Sequence, residues 1–266
     1  MAALSLPSRG DAHTVARLPF QEQVDFFRGK QPLPSERYDD IRTSAHDRGF
    51  IVAGAQGADL LQDLKDAVDK GIAEGTTLEQ FRKSFDEIVA RHGWSGWTGE
   101  GSKAGRDWRT RTIYQTNLNT SYQAGRLKQL RDPDLRKRKP YWMYRHNDSV
   151  LHPRPLHVSW NGICLPADHE WFRTHYTPNG WGCQCYIIPV SAKEAAMWGG
   201  RILQTAPDDG IDPRTGAPNG IDKGWDYMPG NRAGDELGAF VADKLIKLSP
   251  QIAAALQAYS GPYLRD

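Results

Sequence analysis

The spacing of apolar residues changes near Tyr141, and this change constrains the fold more than any other feature of the sequence. Upstream, apolar residues recur every three to four positions, as in "GADLLQDLKDAVDKGIAEG", which is typical of amphipathic helices. Downstream, the runs "PYWMYRHND", "LHVSWNGICL" and "CQCYIIPVS" are rich in aromatic and β-branched residues and are separated by turn-forming residues, as strands are. Helices that precede strands without regular alternation predict an α+β protein.

This pattern divides the 266 residues into three regions. Residues 1–105 are predicted to form an N-terminal helical half. Residues 106–200 are predicted to hold a long polar helix followed by a small antiparallel β core. Residues 201–266 are predicted to form an acidic loop and a C-terminal helix, which begins near Ala233 and ends near Tyr259.

Two local patterns predict helix starts in the N-terminal half. Ser35 is a candidate N-cap for a helix that continues through Ile41 and Ala45. Thr76 and Glu79 have the spacing of a capping box at the start of a later helix.

Composition and cysteine usage indicate the compartment. The chain is 39% hydrophobic and 25% charged, and it has no run approaching the roughly 18 apolar residues of a membrane span. Its first residues lack the features of a signal peptide. The three cysteines all lie between Cys164 and Cys185, which argues against a secreted disulfide framework. We therefore expect a protein with reduced thiols, present in a cytoplasm and without a membrane partner.

Charge is distributed unevenly although the net charge is only +2. Between Lys103 and Arg145, twelve basic residues face three acidic ones, whereas Thr205 to Asp243 carries eight acidic residues and three basic ones. The densest basic residues form what we call the basic strip: Arg136, Lys137, Arg138 and Lys139. Basic residues beside aromatic ones can contact DNA, and they can equally contact an acidic protein surface or form a solvated loop.

The long helix predicted from "RDWRTRTIYQTNLNTSYQAGRLKQLRD" is unusually polar. One interpretation is a helix with one face in solvent. The other is a helix that presents hydrogen-bonding groups to a polar interior or to a partner. The sequence favours neither interpretation over the other.

The segment "HYTPNGWGCQCYI" allows two interpretations. In the first, Pro178-Asn179-Gly180 forms a tight turn, Trp181 caps the core, and a strand begins at Cys183 with its two sulfurs on opposite faces. In the second, the sulfurs bind a zinc ion together with a histidine. The candidate metal ligands are then His157, His175, Cys183 and Cys185.

An enzyme is the alternative to a structural protein. His146, Asp148 and His157 are the residue types of a metal-dependent nuclease or phosphodiesterase, in which a histidine acts as base and the aspartate holds a metal ion. The sequence lacks the established hydrolase and nucleotide-binding motifs H-E-x-x-H, the P-loop and G-x-S-x-G. We therefore expect no catalytic residues and no obligatory cofactor.

Three stretches together resemble the Mu F-like minor head proteins of tailed bacteriophages, also described as phage head morphogenesis proteins. They are "RTRTIYQTNLNTSYQAGR", "PYWMYRHNDSVLHPRPLHVSWNGICLPADHEWF" and "HYTPNGWGCQCYIIPVS". The motif positions are Arg111, Thr112, Thr116, Asn117, Gly125, Arg126, Asp148, Arg154, Pro155, His157, Asp168, Pro178, Asn179, Gly180, Cys183 and Cys185. Gln184 stands where arginine is common in the family, and "DKGWDYMPG" near the C-terminus is also similar.

The resemblance implies a low-copy structural protein of the phage head that acts in capsid assembly near the portal and the packaged DNA. Its implied partners are the portal protein and other head proteins, and its implied location is the virion. The order of the motifs also suggests that Arg111, Thr116, Asn117 or Arg126 hydrogen-bonds the loops bearing Asp148 and Asp168, because a buried arginine needs such a partner.

Overall fold

The computed structural model describes residues 19–231, and these residues form a mixed α+β fold. The N-terminal part contains helices α1 (Gln21–Arg28), α2 (Ala58–Glu74) and α3 (Leu78–His92). Between α1 and α2 lie two short parallel strands, β1 (Gln31–Pro32) and β2 (Gly49–Phe50), and a 3-10 helix at Thr43–Asp47. The α+β prediction is therefore confirmed.

The long helix α4 (Lys103–Leu130) connects the N-terminal helices to the sheet. After it come α5 (Pro133–Arg138), β3 (Tyr141–Arg145), α6 (Pro155–Ser159), β4 (Ile163–Pro166), α7 (Phe172–His175), β5 (Tyr186–Val190), α8 (Ala192–Met197) and β6 (Arg201–Ile202). Among the described residues, no helix is both long and apolar enough to span a membrane.

The sheet has four strands in the order β5-β3-β4-β6. The central strand β3 pairs antiparallel with both β4 and β5, as the sequence predicts. The edge strand β6 pairs parallel with β4, with Ile163 opposite Arg201, and is an addition to the antiparallel core predicted from the sequence. No sequence pattern predicts β6, because Arg201 and Ile202 are both exposed and show no alternation of buried and exposed residues.

Two hydrophobic clusters meet along α4. The first is built from the N-terminal helices and receives Ile113 and Tyr114 from the first half of α4. The second surrounds the sheet and receives Leu127 and Leu130 from the other half. Because α4 contributes to both clusters, it fixes the position of the sheet relative to the N-terminal helices.

The segment that follows β6 completes the second cluster. Ala217, Ile221, Trp225 and Met228 are buried in it, although turn-forming residues dominate the segment. The C-terminal helix predicted between Ala233 and Tyr259 lies outside the described residues.

Two of the predicted helix starts are corrected. No α-helix follows Ser35, because the Ser35 backbone N–H donates to the Ala55 carbonyl and its own carbonyl accepts from Gly54. These tertiary hydrogen bonds hold Ser35 against a distant part of the chain, and bends and a turn follow it where local propensity favoured a helix. The capping box is formed by Thr77 and Gln80, one residue after the predicted pair Thr76 and Glu79.

Candidate functional site

Two histidines and two cysteines converge beneath the sheet, and we call them the His/Cys cluster. Its members are His146, directly after β3, His157 in α6, and Cys183 and Cys185 in the loop before β5. The Nδ1 atom of His157 lies 3.7 Å from the sulfur of Cys183 and 3.6 Å from that of Cys185. The Nδ1 atom of His146 lies 3.5 Å from the sulfur of Cys185. All four side chains are buried.

His157 is held in one orientation by its surroundings. Its ring stacks on Trp160 with centroids 5.1 Å apart, and its Nε2 atom lies 2.8 Å from the carbonyl oxygen of Gly220. A carbonyl oxygen can only accept a hydrogen bond, so Nε2 carries the proton. The lone pair of Nδ1 therefore points at the two sulfurs.

The prediction that the two sulfurs point to opposite faces is wrong. Alternation applies to extended strand residues, but β5 begins at Tyr186, after both cysteines. The preceding loop turns at Gly182, whose φ is +71°, and in this segment both sulfurs lie on the side of His157, within 4.8 Å of each other and of its ring nitrogen.

The predicted tight turn also differs in detail. Neither Asn179 nor Gly180 has a positive φ, and the Thr177–Pro178 peptide bond is cis. Trp181 does not cap the core: its side chain is 42% exposed and contacts the rings of Tyr38 and Trp225.

The polar helix α4 holds the backbone of the cysteine loop. Asn119 donates to the Cys183 carbonyl at 3.4 Å, and Gln123 donates to the Cys185 carbonyl at 3.5 Å. The Tyr176 hydroxyl in turn donates to the Gln123 carbonyl at 3.0 Å. The interpretation of α4 as a helix that presents hydrogen-bonding groups to a polar interior is therefore confirmed for Asn119 and Gln123.

The two thiols differ in acidity because they lie in contact. The contact with Cys183, followed by a contribution from the Tyr144 hydroxyl, lowers the pKa of Cys185 to about 7 despite its burial. The same contact and burial raise the pKa of Cys183 well above its usual value. Cys185 is thus the readier of the two to become a thiolate, and ionising both requires a nearby cation.

An arginine–aspartate pair binds the backbone of the loop that carries Cys183 and Cys185. Arg154 binds Asp222 through two nitrogens, at 2.8 and 2.9 Å, and donates to the Trp181 carbonyl at 3.1 Å. The Trp181 backbone N–H donates to Asp222 at 2.9 Å. Asp222 was not among the predicted site residues, although it is the first residue of the "DKGWDYMPG" stretch that resembles the family.

His175 lies apart from the other candidate ligands. Among the described residues, the group that can hold a metal ion by mutual distance is His157, Cys183 and Cys185. The His175 ring stacks on Trp171 at 4.1 Å, and its Nδ1 atom lies 3.0 Å from the Trp171 carbonyl. Burial lowers the pKa of His175 to about 4, so the ring is neutral near pH 7.

Asp148 and Asp168, the aspartates of the family motif, do not contact the α4 residues that were predicted to hydrogen-bond their loops. Asp148 is exposed. Asp168 pairs with Arg131 at 3.4 Å and with Arg136 at 2.8 Å. These two arginines lie just beyond α4 and in α5, next to the loop of Asp168.

The motif residues of α4 make local contacts instead. Asn117 donates to the Ile113 carbonyl, Arg126 donates to Gln129, and the Thr116 carbonyl accepts from Thr120. Arg111 is exposed. The prediction that these residues hydrogen-bond the loops of Asp148 and Asp168 is therefore wrong.

The basic strip is partly neutralised by ion pairs. Arg136 pairs with Asp168, and Lys139 pairs with Glu194 at 2.7 Å. Lys137 and Arg138 remain exposed on α5, where Lys137 makes a weak surface pair with Asp134 at 3.4 Å.

The fold and the His/Cys cluster define a mixed α+β protein with a buried sulfur and nitrogen centre, and comparison with known proteins gives its family. A model of the family described as "Phage Mu protein F like protein" matches residues 62–188, a range that contains the whole cluster. The resemblance to this family drawn from the sequence is confirmed by the match.

Two known phage or prophage proteins are similar to this chain. The chain is 32% identical over 255 residues to the "Putative capsid assembly protein F" of Escherichia phage Mu, a match that covers 84% of this chain and 57% of the relative. It is 34% identical over 186 residues to the "Mu-like prophage FluMu F protein" of Haemophilus influenzae, covering 68% of this chain and 43% of the relative. The chain thus spans about half the length of these relatives. No solved structure is significantly similar to it.

Proposed function

We propose that this chain is a minor head protein of a tailed bacteriophage that acts in head assembly and is not an enzyme. The observation that carries the proposal is the 32% identity over 255 residues to a phage Mu protein whose name describes capsid assembly. The partners are then other head proteins, and the location is the phage head, reached from the host cytoplasm during assembly.

The proposal extends to the surroundings of the chain in the head, which we place near the portal protein and the packaged DNA. Support comes from the exposed side chains of Lys137 and Arg138, which form a positive surface on α5. Phosphates and acidic protein surfaces are the partners that such a surface attracts.

The alternative, a metal-dependent nuclease, requires His146, Asp148 and His157 to act on one open centre. His146 and His157 instead face buried sulfurs, and Asp148 is exposed, outside the group of residues that can share a metal ion. A catalytic metal ion needs a coordination position that substrate can reach, and the burial of the cluster disfavours such access.

The Asp148→Asn variant separates the two functions. In a phage or prophage that lacks the gene for this chain, we expect the wild-type protein to restore the yield of infectious particles. Asp148→Asn should restore it to the same level within about twofold, because an exposed carboxylate contributes little to folding. A particle yield reduced by orders of magnitude, together with DNA hydrolysis by the wild-type protein that the variant lacks, would establish the nuclease instead.

Contact with DNA predicts a dependence on the exposed basic residues. Replacing Lys137 and Arg138 with glutamate should weaken binding to double-stranded DNA and lower the slope of log affinity against log salt by about 2, since each lost phosphate contact removes about 0.9. The matched control is Lys70→Glu with Lys83→Glu, two exposed residues of α2 and α3 that give the same change in net charge. Equal losses in both variants would indicate a net-charge effect and no specific contact.

A further inference from the structure

Three members of the His/Cys cluster, His157, Cys183 and Cys185, have the mutual distances of ligands to one metal ion, and the fourth, His146, approaches one of the two sulfurs. Zinc bonds of about 2.3 Å to sulfur and about 2.0–2.1 Å to nitrogen, at tetrahedral angles, separate a sulfur ligand from a nitrogen ligand by about 3.6 Å. The sulfur-to-nitrogen distances in the cluster are 3.5, 3.6 and 3.7 Å. The ligand atoms of His157, Cys183 and Cys185 all lie within 4.8 Å of one another.

The groups around the cluster orient it as a ligand set. A histidine that binds a metal ion commonly donates its other N–H to a carbonyl or carboxylate, which fixes the lone pair on the metal side. His157 makes this contact with the Gly220 carbonyl at 2.8 Å. Asn119 and Gln123 hold the carbonyls of Cys183 and Cys185, so the loop that carries both sulfurs is anchored to α4.

The charge of the cluster also favours a cation. Two thiolates close together in a buried site repel each other, and a divalent cation neutralises both. Arg154, whose guanidinium lies near the cysteine loop, is already engaged by Asp222 and by the Trp181 carbonyl. Two sulfur and two nitrogen ligands in tetrahedral arrangement are typical of zinc.

We propose that His157, Cys183 and Cys185 bind one zinc ion as a closed structural site, with His146, whose Nδ1 atom lies 3.5 Å from the Cys185 sulfur, as the fourth ligand. Both cysteines bind as thiolates, so zinc binding releases their two protons. The ion links the end of β3, helix α6 and the loop before β5. Through the Gly220 contact of His157, it also fixes the segment after β6. With four protein ligands and all four buried, the ion has no open position for a substrate, and its role is to hold these segments together.

Elemental analysis of the purified full chain tests the proposal. After exposure to zinc and desalting, we expect about one zinc ion per chain, and cobalt in its place should give the intense visible absorption of a tetrahedral site with thiolate ligands. The double variant Cys183→Ser with Cys185→Ser should lose the zinc and the cobalt spectrum. Cys164→Ser is the matched control, because Cys164 is equally buried but lies in a different cluster, and it should keep both.

Two further measurements keep the test decisive if the double variant folds poorly. A strong chelator should lower the thermal midpoint of the wild-type protein, and added zinc should restore it. Asp148→Asn should retain the full zinc content, whereas His146→Ala should bind zinc about tenfold or more weakly because it loses one ligand. Wild-type protein that holds no zinc after this treatment, holds iron instead, or contains a Cys183–Cys185 disulfide in reducing buffer would overturn the proposal.

Discussion

Replacing Trp160 with alanine should lower the free energy of unfolding by about 3–5 kcal/mol, the range measured for large aromatic residues in protein cores. Trp160 is 1% exposed and contacts the rings of Tyr144, His157 and Trp171. Its indole N–H donates to Asp209 at 2.7 Å, so the substitution also leaves that carboxylate without this donor. Urea denaturation of the full chain, followed by circular dichroism, measures the change.

The control for this prediction is Trp108→Ala. Trp108 lies on α4 and is 49% exposed, so its removal creates no closed cavity and should cost about 1 kcal/mol or less. Similar losses of stability in the two variants would contradict the placement of Trp160 at the centre of the second cluster.

Gly220→Ala should cost about 2–5 kcal/mol for two separate reasons. Gly220 has a φ of +88°, a conformation that costs a residue with a Cβ about 1–2 kcal/mol. A Cβ there would also lie 2.9 Å from the Trp160 ring and 3.0 Å from Leu156, and forcing extra volume into a packed core typically costs about 1–3 kcal/mol. The same urea titration measures the loss.

Gly224→Ala separates the two contributions. Gly224 has a nearly identical φ of +82°, but within the described residues no atom beyond its two chain neighbours lies within 4 Å of the position of an added Cβ. This variant should lose only the conformational part, about 1–2 kcal/mol. If Gly224→Ala costs as much as Gly220→Ala, the close packing of Gly220 on Trp160 and Leu156 is contradicted.

The helices were predictable because their apolar residues repeat over several turns. The pattern of Leu60, Leu64 and Val68 predicts the buried face of α2, and Gly75, at a φ of +73°, ends that helix as expected. The absence of a helix after Ser35 was not predictable, because hydrogen bonds to Gly54 and Ala55 decide the conformation there. A local pattern cannot include partners that are some twenty residues away.

The residue types of the candidate site were predictable from the sequence, but the arrangement of their side chains was not. Residue chemistry selects His157, Cys183 and Cys185 as metal candidates, and the structure brings them together. The strand rule placed the two sulfurs on opposite faces, because it took Cys183 to be the first residue of the strand. His146 was assigned to a nuclease instead, since its approach to Cys185 depends on the pairing of β3 with β5.

Asp222 and Gly220 show what sequence patterns miss. Both lie in a segment of turns without periodicity, yet one holds Arg154 and the other accepts the hydrogen bond from His157. Their roles depend on contacts across more than sixty residues, which become visible only when the second cluster is assembled.

Quantitative mass spectrometry of purified heads tests the central claim most directly. Heads are isolated before and after DNA release from the phage or prophage that encodes this chain, and the chain is counted relative to the major capsid protein. A minor head protein should be present in purified heads at a small, fixed ratio to the major capsid protein. A chain that is absent from heads and found only free in the lysate would contradict its assignment as a head component.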